Sequence, residues 1–285
     1  MIEPLQKGDL LIDDMVGVEG GEDCFHVWWL GQSGFLLKWN GEFLLFDPYL
    51  SDSLSRKYEG TDKPHVRMSE LVVDPSRLAF VKSVTSSHNH TDHLDRETLC
   101  AISEASGGVS LVLPEANIGF AKERLIGGAI DYVGINEMVV ARTGPWRIEG
   151  IAAAHNEVER DGEGRCVFLG FQVTFGGFRV YHSGDTLWHE ELVSQLRGGP
   201  PDLALLPING NKPERRVAGN LNGREAAELA HTIGARMVVP CHYDMFTFNT
   251  EEPDEFISFC ERLGQSYRVM KGGERLTIHR RKAES

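Results

Sequence analysis

The chain has 285 residues, of which 41% are hydrophobic and 25% charged, and its formal net charge is −13 at pH 7. This composition is that of an ordinary globular protein, and the excess of acidic residues argues against nucleic acid as a partner, because the phosphate backbone would repel the chain. No apolar run is long enough to span a bilayer. Five scattered cysteines without a C-x-x-C pair suit a reducing compartment. We therefore expect a cytoplasmic protein that acts on a small molecule, with no membrane partner; a homo-oligomer stays open.

The first elements are three consecutive strands that follow a lead segment, residues 1–24. Apolar runs predict strands over 25–30, 34–39 and 42–46. The pair Asn40-Gly41 is a favoured hairpin turn, so we expect an antiparallel meander. Residues 51–77 are polar and lack periodicity, which predicts a long loop that could cover a site.

From residue 78 onward the pattern alternates between strands and helices. It predicts strands over 78–87, 109–114, 146–154, 167–175, 178–182, 203–207, 237–240, 267–271 and 275–278, and helices over 116–125, 222–233 and 253–263. A further helix opens at Asp95, a residue type favoured as an N-cap. A meander followed by mixed units indicates the α/β class, with two mixed sheets packed together and helices outside. No linker divides the chain, which favours a single domain over residues 1–285.

The strongest functional signal is the run His88-Asn89-His90-Thr91-Asp92-His93. It places three imidazoles and one carboxylate within six positions, although the whole chain has only 11 histidines. These side chains are ligands of Zn²⁺ and similar divalent cations. Side chains at i and i+2 of an extended segment point the same way, so His88 and His90 can share one ion. If the chain then turns, Asp92 and His93 face elsewhere and can begin a second site.

Three later strands end in residues of the same kind. His155 follows an apolar run, Asp185 comes shortly after the strand 178–182, and His242 follows Pro240-Cys241. Each residue alone is more often a cap, but four strand ends that carry His or Asp are a pattern. The carboxyl ends of strands are where sites gather in α/β folds. The sequence therefore predicts a metal site assembled from distant strands. Other histidines are not included: His182 is expected to be a satisfied core residue, and His65 is assigned no role.

The combination resembles the metallo-β-lactamase superfamily, and within it the chain is most similar to the L-ascorbate-6-phosphate lactonase-like branch of metal-dependent hydrolases. The similarity covers most of the chain, from about residue 25 to 250. It lies in the segments Trp28-Trp29-Leu30-Gly31, Ser87 to Asp95, Tyr181 to Thr186 and Val239 to Asp244. The resemblance implies a four-layered αβ/βα sandwich with its metals at one edge between the sheets.

The resemblance also implies a ligand set for one or two divalent cations, Zn or Mn. His88, His90 and His155 would hold the first, Asp92, His93 and His242 the second, and Asp185 would bridge both. Asp47 matches the first motif of the superfamily and would support the histidine loop through hydrogen bonds rather than bind metal. His155 is followed by a polar segment whose geometry the sequence does not define, so a single-metal site stays open.

Such a site implies hydrolysis by a metal-bound hydroxide. Asp92 is expected to orient the water or accept its proton, and Tyr243 or Asn209 to stabilise the developing oxyanion. Arg215 and Arg216 belong to a cationic segment, which suggests recognition of an anionic group on the substrate. We expect hydrolysis of a small ester or lactone. The alternatives are phosphodiesterase or nuclease chemistry, and a metal-binding or redox module with little hydrolase activity.

Overall fold

The computed structural model describes residues 1–196 and 198–281. Its helices are α1 (Gly8–Gly17), α2 (Ser53–Lys57), α3 (Arg96–Ser106), α4 (Ile118–Arg124), α5 (Leu192–Gln195), α6 (Gly223–Thr232) and α7 (Asp254–Leu263). Its strands are β1 (Cys24–Gly31), β2 (Gly34–Trp39), β3 (Glu42–Phe46), β4 (Ser83–Thr85), β5 (Val109–Pro114), β6 (Ile130–Ile135), β7 (Val140–Thr143), β8 (Trp146–Ala152), β9 (Leu169–Phe175), β10 (Phe178–His182), β11 (Leu203–Pro207), β12 (Val238–Cys241) and β13 (Arg275–His279).

The strands form two mixed sheets. The first has the order β13-β1-β2-β3-β4-β5-β6 and the second the order β12-β11-β10-β9-β8-β7. β1, β2 and β3 are antiparallel neighbours, which confirms the meander, and β3 to β6 are parallel. In the second sheet β10, β11 and β12 are parallel, whereas β7 to β10 are antiparallel. The parallel strands β4, β10 and β12 therefore each present a carboxyl end to a following loop.

The alternation of side chains along β1 shows how the layers pack. Phe25 and Val27 point into the core between the two sheets, whereas Trp28 points to the other face and packs with Leu11 and Met15 of α1. Both faces of this strand are buried because one meets a sheet and the other meets helices. On the far side of the molecule α6 packs against β11 and β12, and α7 packs against α6. The fold is thus the four-layered αβ/βα sandwich that was predicted.

Two predicted strands differ from the structure. The strand expected over 78–87 is only three residues long, β4, because Asp74 caps a 3₁₀ turn at Pro75–Arg77 and the amide of Val81 then donates to the carbonyl of Leu78. The strand expected over 267–271 is a single bridge between Tyr267 and β12. In the first segment local turns take backbone hydrogen bonds that a longer ladder would need, and in the second the amide of Lys271 donates to the side chain of Glu274 rather than to a neighbouring strand.

The elements that were not predicted include α1, α2, α5, β6 and β7. The lead segment contains α1, and the loop over 51–77 contains α2 and the 3₁₀ turn. β6 and β7 lie at the outer edges of their sheets, so their side chains are only partly buried and their apolar pattern is weak. Within residues 1–196 and 198–281, no helix has the length and apolar character needed to span a bilayer.

Candidate metal centre

The histidine run occupies the loop that joins β4 to α3. The amides of His93 and Leu94 both donate to the carbonyl of His90, at 3.1 and 2.9 Å, so the chain turns between residues 90 and 94. Asp95 then begins α3 as its N-cap, because its carboxylate accepts from the amide of Thr98. The turn brings the rings of His88 and His93 to a centroid distance of 4.1 Å. The run therefore folds back on itself, which is the condition under which Asp92 and His93 can begin a second site.

The later strand ends meet this loop. His155 follows β8, Asp185 follows β10 and His242 follows β12. These residues and the histidine run fall into three overlapping groups, and within each group the candidate ligand atoms lie within 4.8 Å of one another. The first group is His88, His90 and His155, the second is His88, His93 and Asp185, and the third is Asp92, His93 and His242. The first and third are the two sets that the resemblance implied.

Asp185 lies between those two sets. Its Oδ2 atom is 3.7 Å from Nε2 of His155 and 3.5 Å from Nε2 of His242, and its Oδ1 atom is 3.4 Å from Nε2 of His93. The close approach of its loop requires Gly184, since a Cβ there would lie 2.5 Å from the Cβ of Ser87. One carboxylate thus touches ligands of both groups.

Hydrogen bonds from the Nδ1 atoms orient three of the imidazoles. Nδ1 of His88 contacts the hydroxyl of Ser87 at 3.0 Å, Nδ1 of His155 donates to the carbonyl of Gly219 at 2.9 Å, and Nδ1 of His93 donates to Asp47 at 2.8 Å. This pattern leaves each Nε2 atom directed at the common centre, which is how second-shell partners orient metal-binding histidines.

Asp47 is a buried hydrogen-bond acceptor that holds the loop of His88 and His93 in place. Its carboxylate accepts from the hydroxyl of Thr85 at 3.1 Å and from the amide and hydroxyl of Ser87, in addition to His93. The side chain is fully buried and does not belong to any of the three ligand groups. Its placement is that of a supporting residue, as expected from the sequence.

The residues present fit a pair of divalent cations. Among the described residues, Nε2 of His88, Nε2 of His93 and Oδ1 of Asp185 are buried and have no hydrogen-bond partner. Such orphaned atoms are costly in a folded protein unless a further group satisfies them. Imidazole nitrogens mixed with carboxylate oxygens suit Zn²⁺ and Mn²⁺.

Electrostatics prepare the imidazoles for this role. Burial lowers the pKa of His88 well below its usual value, and it lowers the pKa of His155 as well. Part of His90 is open to the solvent of the cavity, but the surrounding protein desolvates most of its ring and lowers its pKa to about 4. These three rings are therefore neutral at pH 7 and keep a lone pair for a metal.

His93 and Asp185 behave in the opposite way. Burial alone would lower the pKa of His93, but the carboxylates of Asp185 and Asp92 outweigh it and raise the pKa well above its usual value. Burial would raise the pKa of Asp185, but the charges of His93 and His242 hold it well below its usual range. In the absence of a cation, a proton on His93 balances the buried carboxylates at neutral pH.

Gln32 is a site residue that the sequence did not reveal. Its Nε2 atom donates to Oδ2 of Asp92 at 2.8 Å and lies 3.0 Å from Nε2 of His242, whose amide donates to the carbonyl of Gln32. It sits in the β1–β2 turn with a φ of +49°, a left-handed conformation that is uncommon outside glycine. The only sequence signal was its position in a loop at the same edge of the sheet.

The structure places Tyr243 and Asn209 away from the expected catalytic roles. The hydroxyl of Tyr243 donates to the carbonyl of Met270 at 2.5 Å, and its ring stacks on Trp29. The amide of Asn209 is fully buried and bonded to Asn220 and Asn249. Neither residue lines the cavity over the metal ligands, so the prediction that they stabilise an oxyanion is corrected.

The two arginines that were expected to contact the substrate, Arg215 and Arg216, differ in their surroundings. Arg215 is mostly buried and holds a loop together: it donates to the carbonyls of Asn209 and Thr250 and pairs with Glu251. It does not line the cavity, so its predicted contact with the substrate is corrected to a structural role. Arg216 does line the cavity mouth, where it pairs with Asp62.

A cavity of about 290 Å³ lies over the ligands. Its inner surface is formed by Gln32, His90, Asp92, His155, Asp185 and His242, and its outer walls by Leu54, Lys57, Tyr58, Lys63, His65, Thr91, Arg216, Val217, Ala218, Phe246, Phe248 and Asn249. The segment 51–77 covers the site, as expected. His65, which was assigned no role, lies in the wall. His182 instead is buried and satisfied, with Nε2 donating to the carbonyl of Ser33 at 2.9 Å.

Known sequences place this fold and site in a family. The family model described as the beta-lactamase superfamily domain matches residues 43–243. A UPF0173 metal-dependent hydrolase from Rubrobacter xylanophilus is 30% identical over 260 residues, which cover 88% of this chain and 95% of that protein. The chain therefore belongs to the metallo-β-lactamase superfamily and, within it, to the UPF0173 metal-dependent hydrolase family.

Solved structures show the same fold. A possible metal-dependent hydrolase from Veillonella parvula has a TM-score of 0.71 at 16% identity, with 89% of this chain and 99% of that chain covered. An isothiocyanate hydrolase from Delia radicum gut bacteria has a TM-score of 0.71 at 18% identity, again with 89% and 99% covered. At these identities the likeness concerns the architecture alone.

Proposed function

We propose that this protein hydrolyses a small ester or lactone with two divalent cations, Zn²⁺ or Mn²⁺, held at the edge between its two sheets. The observation that carries the proposal is the convergence of the buried, unpartnered atoms of His88, His93 and Asp185 on one point among the described residues. His88, His90 and His155 would hold one cation, Asp92, His93 and His242 the other, with Asp185 between them. When bound, such cations lower the pKa of a shared water and polarise a carbonyl group.

The remaining chemistry falls to the side chains around the ligands. Asp47 accepts the Nδ1 proton of His93 and so keeps the Nε2 lone pair of that ring available. Gln32 holds Asp92 through one amide hydrogen, and its amide nitrogen also lies 3.0 Å from Nε2 of His242. Once that Nε2 holds a cation, the second amide hydrogen is available to the substrate. We assign to Gln32 the oxyanion contact that Tyr243 and Asn209 do not make, since neither lines the cavity.

The shape of the cavity supports a small substrate. Its volume of about 290 Å³ is at the low end of pockets that bind small organic ligands. A polynucleotide needs a positively charged surface that follows several phosphates, and this chain is strongly acidic overall. Ester or lactone hydrolysis is therefore favoured over nuclease chemistry.

Metal analysis and a substrate panel test the proposal. The purified protein should contain metal, and anomalous scattering should place it among His88, His155 and Asp185. Chelation should abolish activity, and Zn²⁺ or Mn²⁺ should restore it. The panel should contain lactones, aryl esters, phosphodiesters, β-lactams and isothiocyanates, with lactones or esters turned over best.

Matched histidine variants separate the site from general damage. His155→Gln should lose metal and activity together. His189→Gln is the control, because His189 bonds to the carbonyl of Ala152 and does not line the cavity, so metal content and activity should persist. Full metal occupancy without turnover of any substrate class would refute the proposed hydrolysis and favour a metal-binding module.

A further inference from the structure

The outer wall of the cavity has a composition unlike the rest of the protein. It carries three cations, Lys57, Lys63 and Arg216, in a chain whose net charge is −13. It also carries an aromatic cluster, formed by Tyr58, His65, Phe246 and Phe248. The metal ligands do not explain either feature, since none of these side chains belongs to the ligand groups.

The aromatic cluster forms a packed and braced surface. The rings of Tyr58 and His65 stack at a centroid distance of 4.4 Å, and Phe246 and Phe248 each lie 5.2 Å from His65. Behind them the guanidinium of Arg67 lies over Phe246 and pairs with Asp52 at 2.6 Å. Nδ1 of His65 donates to the carbonyl of Lys63 at 2.8 Å, which fixes the ring in the wall. Such a surface suits the binding of a flat apolar group, because its side chains are already ordered and lose little conformational entropy on binding.

The two lysines are cations without a carboxylate partner among residues 1–196 and 198–281. Nζ of Lys57 lies 3.4 Å from the hydroxyl of Thr91, which separates the ligands His90 and Asp92 in the sequence. Nζ of Lys63 donates to the carbonyl of Arg216 at 2.5 Å, across the cavity mouth. Arg216 differs, because its charge is already paired with Asp62. Lys57 and Lys63 therefore offer positive charge that no ion pair among the described residues takes up, one beside the metal-binding loop and one at the rim.

These two features point to one class of ligand. We infer that the substrate is an amphipathic anion: an ester or lactone with a carboxylate or phosphate group near the bond that is cleaved, and a flat apolar group that lies on the aromatic wall. The anion contacts Lys57 and Lys63, and the apolar group contacts Tyr58, His65 and Phe248. This inference rests on the proposed function for the cleavage itself, but the binding of the anion does not depend on turnover.

A binding assay on the metal-loaded protein tests the inference. Calorimetry with 3-phenylpropionate, phenylphosphonate and the neutral 3-phenylpropanamide compares charge at constant ring size, and propionate tests the contribution of the ring. The acid or the phosphonate should bind more tightly than the amide by about tenfold, the order expected for two cations in a partly desolvated site. Whichever of the two anions binds more tightly identifies the carboxylate or the phosphate arm. The affinity should fall as salt is added.

Matched double variants assign the effect to the two lysines. Lys57→Gln/Lys63→Gln should lose most of the preference for the anion, whereas Lys122→Gln/Lys271→Gln removes the same charge at residues outside the cavity and should keep it. The same comparison with metal-free protein distinguishes the contribution of the lysines to anion binding from that of direct contact between the anion and a metal ion. Phe248→Leu should weaken the binding of 3-phenylpropionate but not the binding of propionate.

Two binding results would overturn the inference, and one result on turnover, given below, would overturn it as well. One is equal binding of the acid and the amide by the unaltered protein; the other is equal loss in the two double variants. Failure of the proposed function gives a different result, namely tight anion binding that depends on Lys57 and Lys63 without hydrolysis of any ester. Hydrolysis of neutral esters without preference for anionic ones would leave the function standing and refute the substrate class.

Discussion

Replacement of Asp47 by Asn should weaken metal binding although Asp47 is not a ligand. The carboxylate accepts from Thr85, from the amide and hydroxyl of Ser87 and from Nδ1 of His93. An asparagine can keep the contacts to one oxygen, but its NH₂ group then faces Ser87 and His93, which are donors. The hydroxyl can rotate and accept, whereas Nδ1–H of His93 loses its acceptor. When the ring loses its extra proton on metal binding, the remaining proton is then expected to lie on Nε2, the atom that should face the metal.

The magnitude follows from this count of contacts. One to two hydrogen bonds to a charged group are lost in a fully buried place, which should lower the free energy of unfolding by about 2–4 kcal/mol. Loss of a partner behind a metal-binding histidine typically costs about 10–100-fold in metal affinity. Urea denaturation of the metal-free protein measures the first quantity, and competition with a chromophoric chelator measures the second.

A second, half-buried aspartate provides the control. Asp14 accepts from the indole of Trp28 at 2.8 Å and from Arg275 at 2.7 Å, and it does not line the cavity. Asp14→Asn should therefore destabilise the protein without change in metal affinity. If Asp47→Asn bound metal as tightly as the unaltered protein while it lost stability to the same extent as Asp14→Asn, the reasoning about the His93 tautomer would be refuted.

Three further outcomes are expected. Asp185 and Asp92 overcome the effect of burial and raise the pKa of His93, so a cation that binds at pH 7 should displace a proton from this ring. Metal affinity should therefore rise with pH until the folded-state pKa of His93 is passed. Calorimetry in buffers of different ionisation enthalpy measures the released proton, and metal binding without proton release would contradict the assignment. Tyr243→Phe should cost about 1 kcal/mol of stability, since one hydrogen bond is lost, and should leave kcat unchanged; a large fall in kcat would restore the catalytic role of the hydroxyl. Arg215→Ala should lower the urea midpoint and affect charged and neutral esters equally, because the side chain holds a loop rather than a substrate; a selective rise in KM for anionic esters would contradict this.

The sequence pointed to the His and Asp residues that the structure brings together because their signals are local. A His or Asp directly after a buried strand can be recognised without knowledge of the partner strands, and the i, i+2 spacing of His88 and His90 is contained in one loop. The two-sheet architecture was also predictable, since apolar runs and turn residues are short-range patterns. These features required no information on which strands pair.

The surroundings of the ligands could not be predicted in the same way. Three of the partners of Arg215, namely Asn249, Thr250 and Glu251, lie 34 to 36 residues away, so its burial depends on tertiary packing rather than on its cationic neighbourhood. Tyr243 follows a ligand but turns into the core, a choice that only the stacking on Trp29 explains. The contact of Gln32 with Asp92 joins residues 60 apart. Each of these errors or omissions concerns side-chain direction in a loop that follows a strand.

The pairing of β13 with β1 has a consequence for how the protein is made. The two strands lie roughly 250 residues apart in the chain, with Cys24 opposite His279. At about 5–20 residues per second, a ribosome needs roughly 10–50 s to supply β13 after β1 has emerged. During that interval β1 has one open edge that can pair with other chains. His242, the last of the candidate metal ligands, is also synthesised late. The nascent protein must therefore remain undamaged without a complete metal site through most of its synthesis.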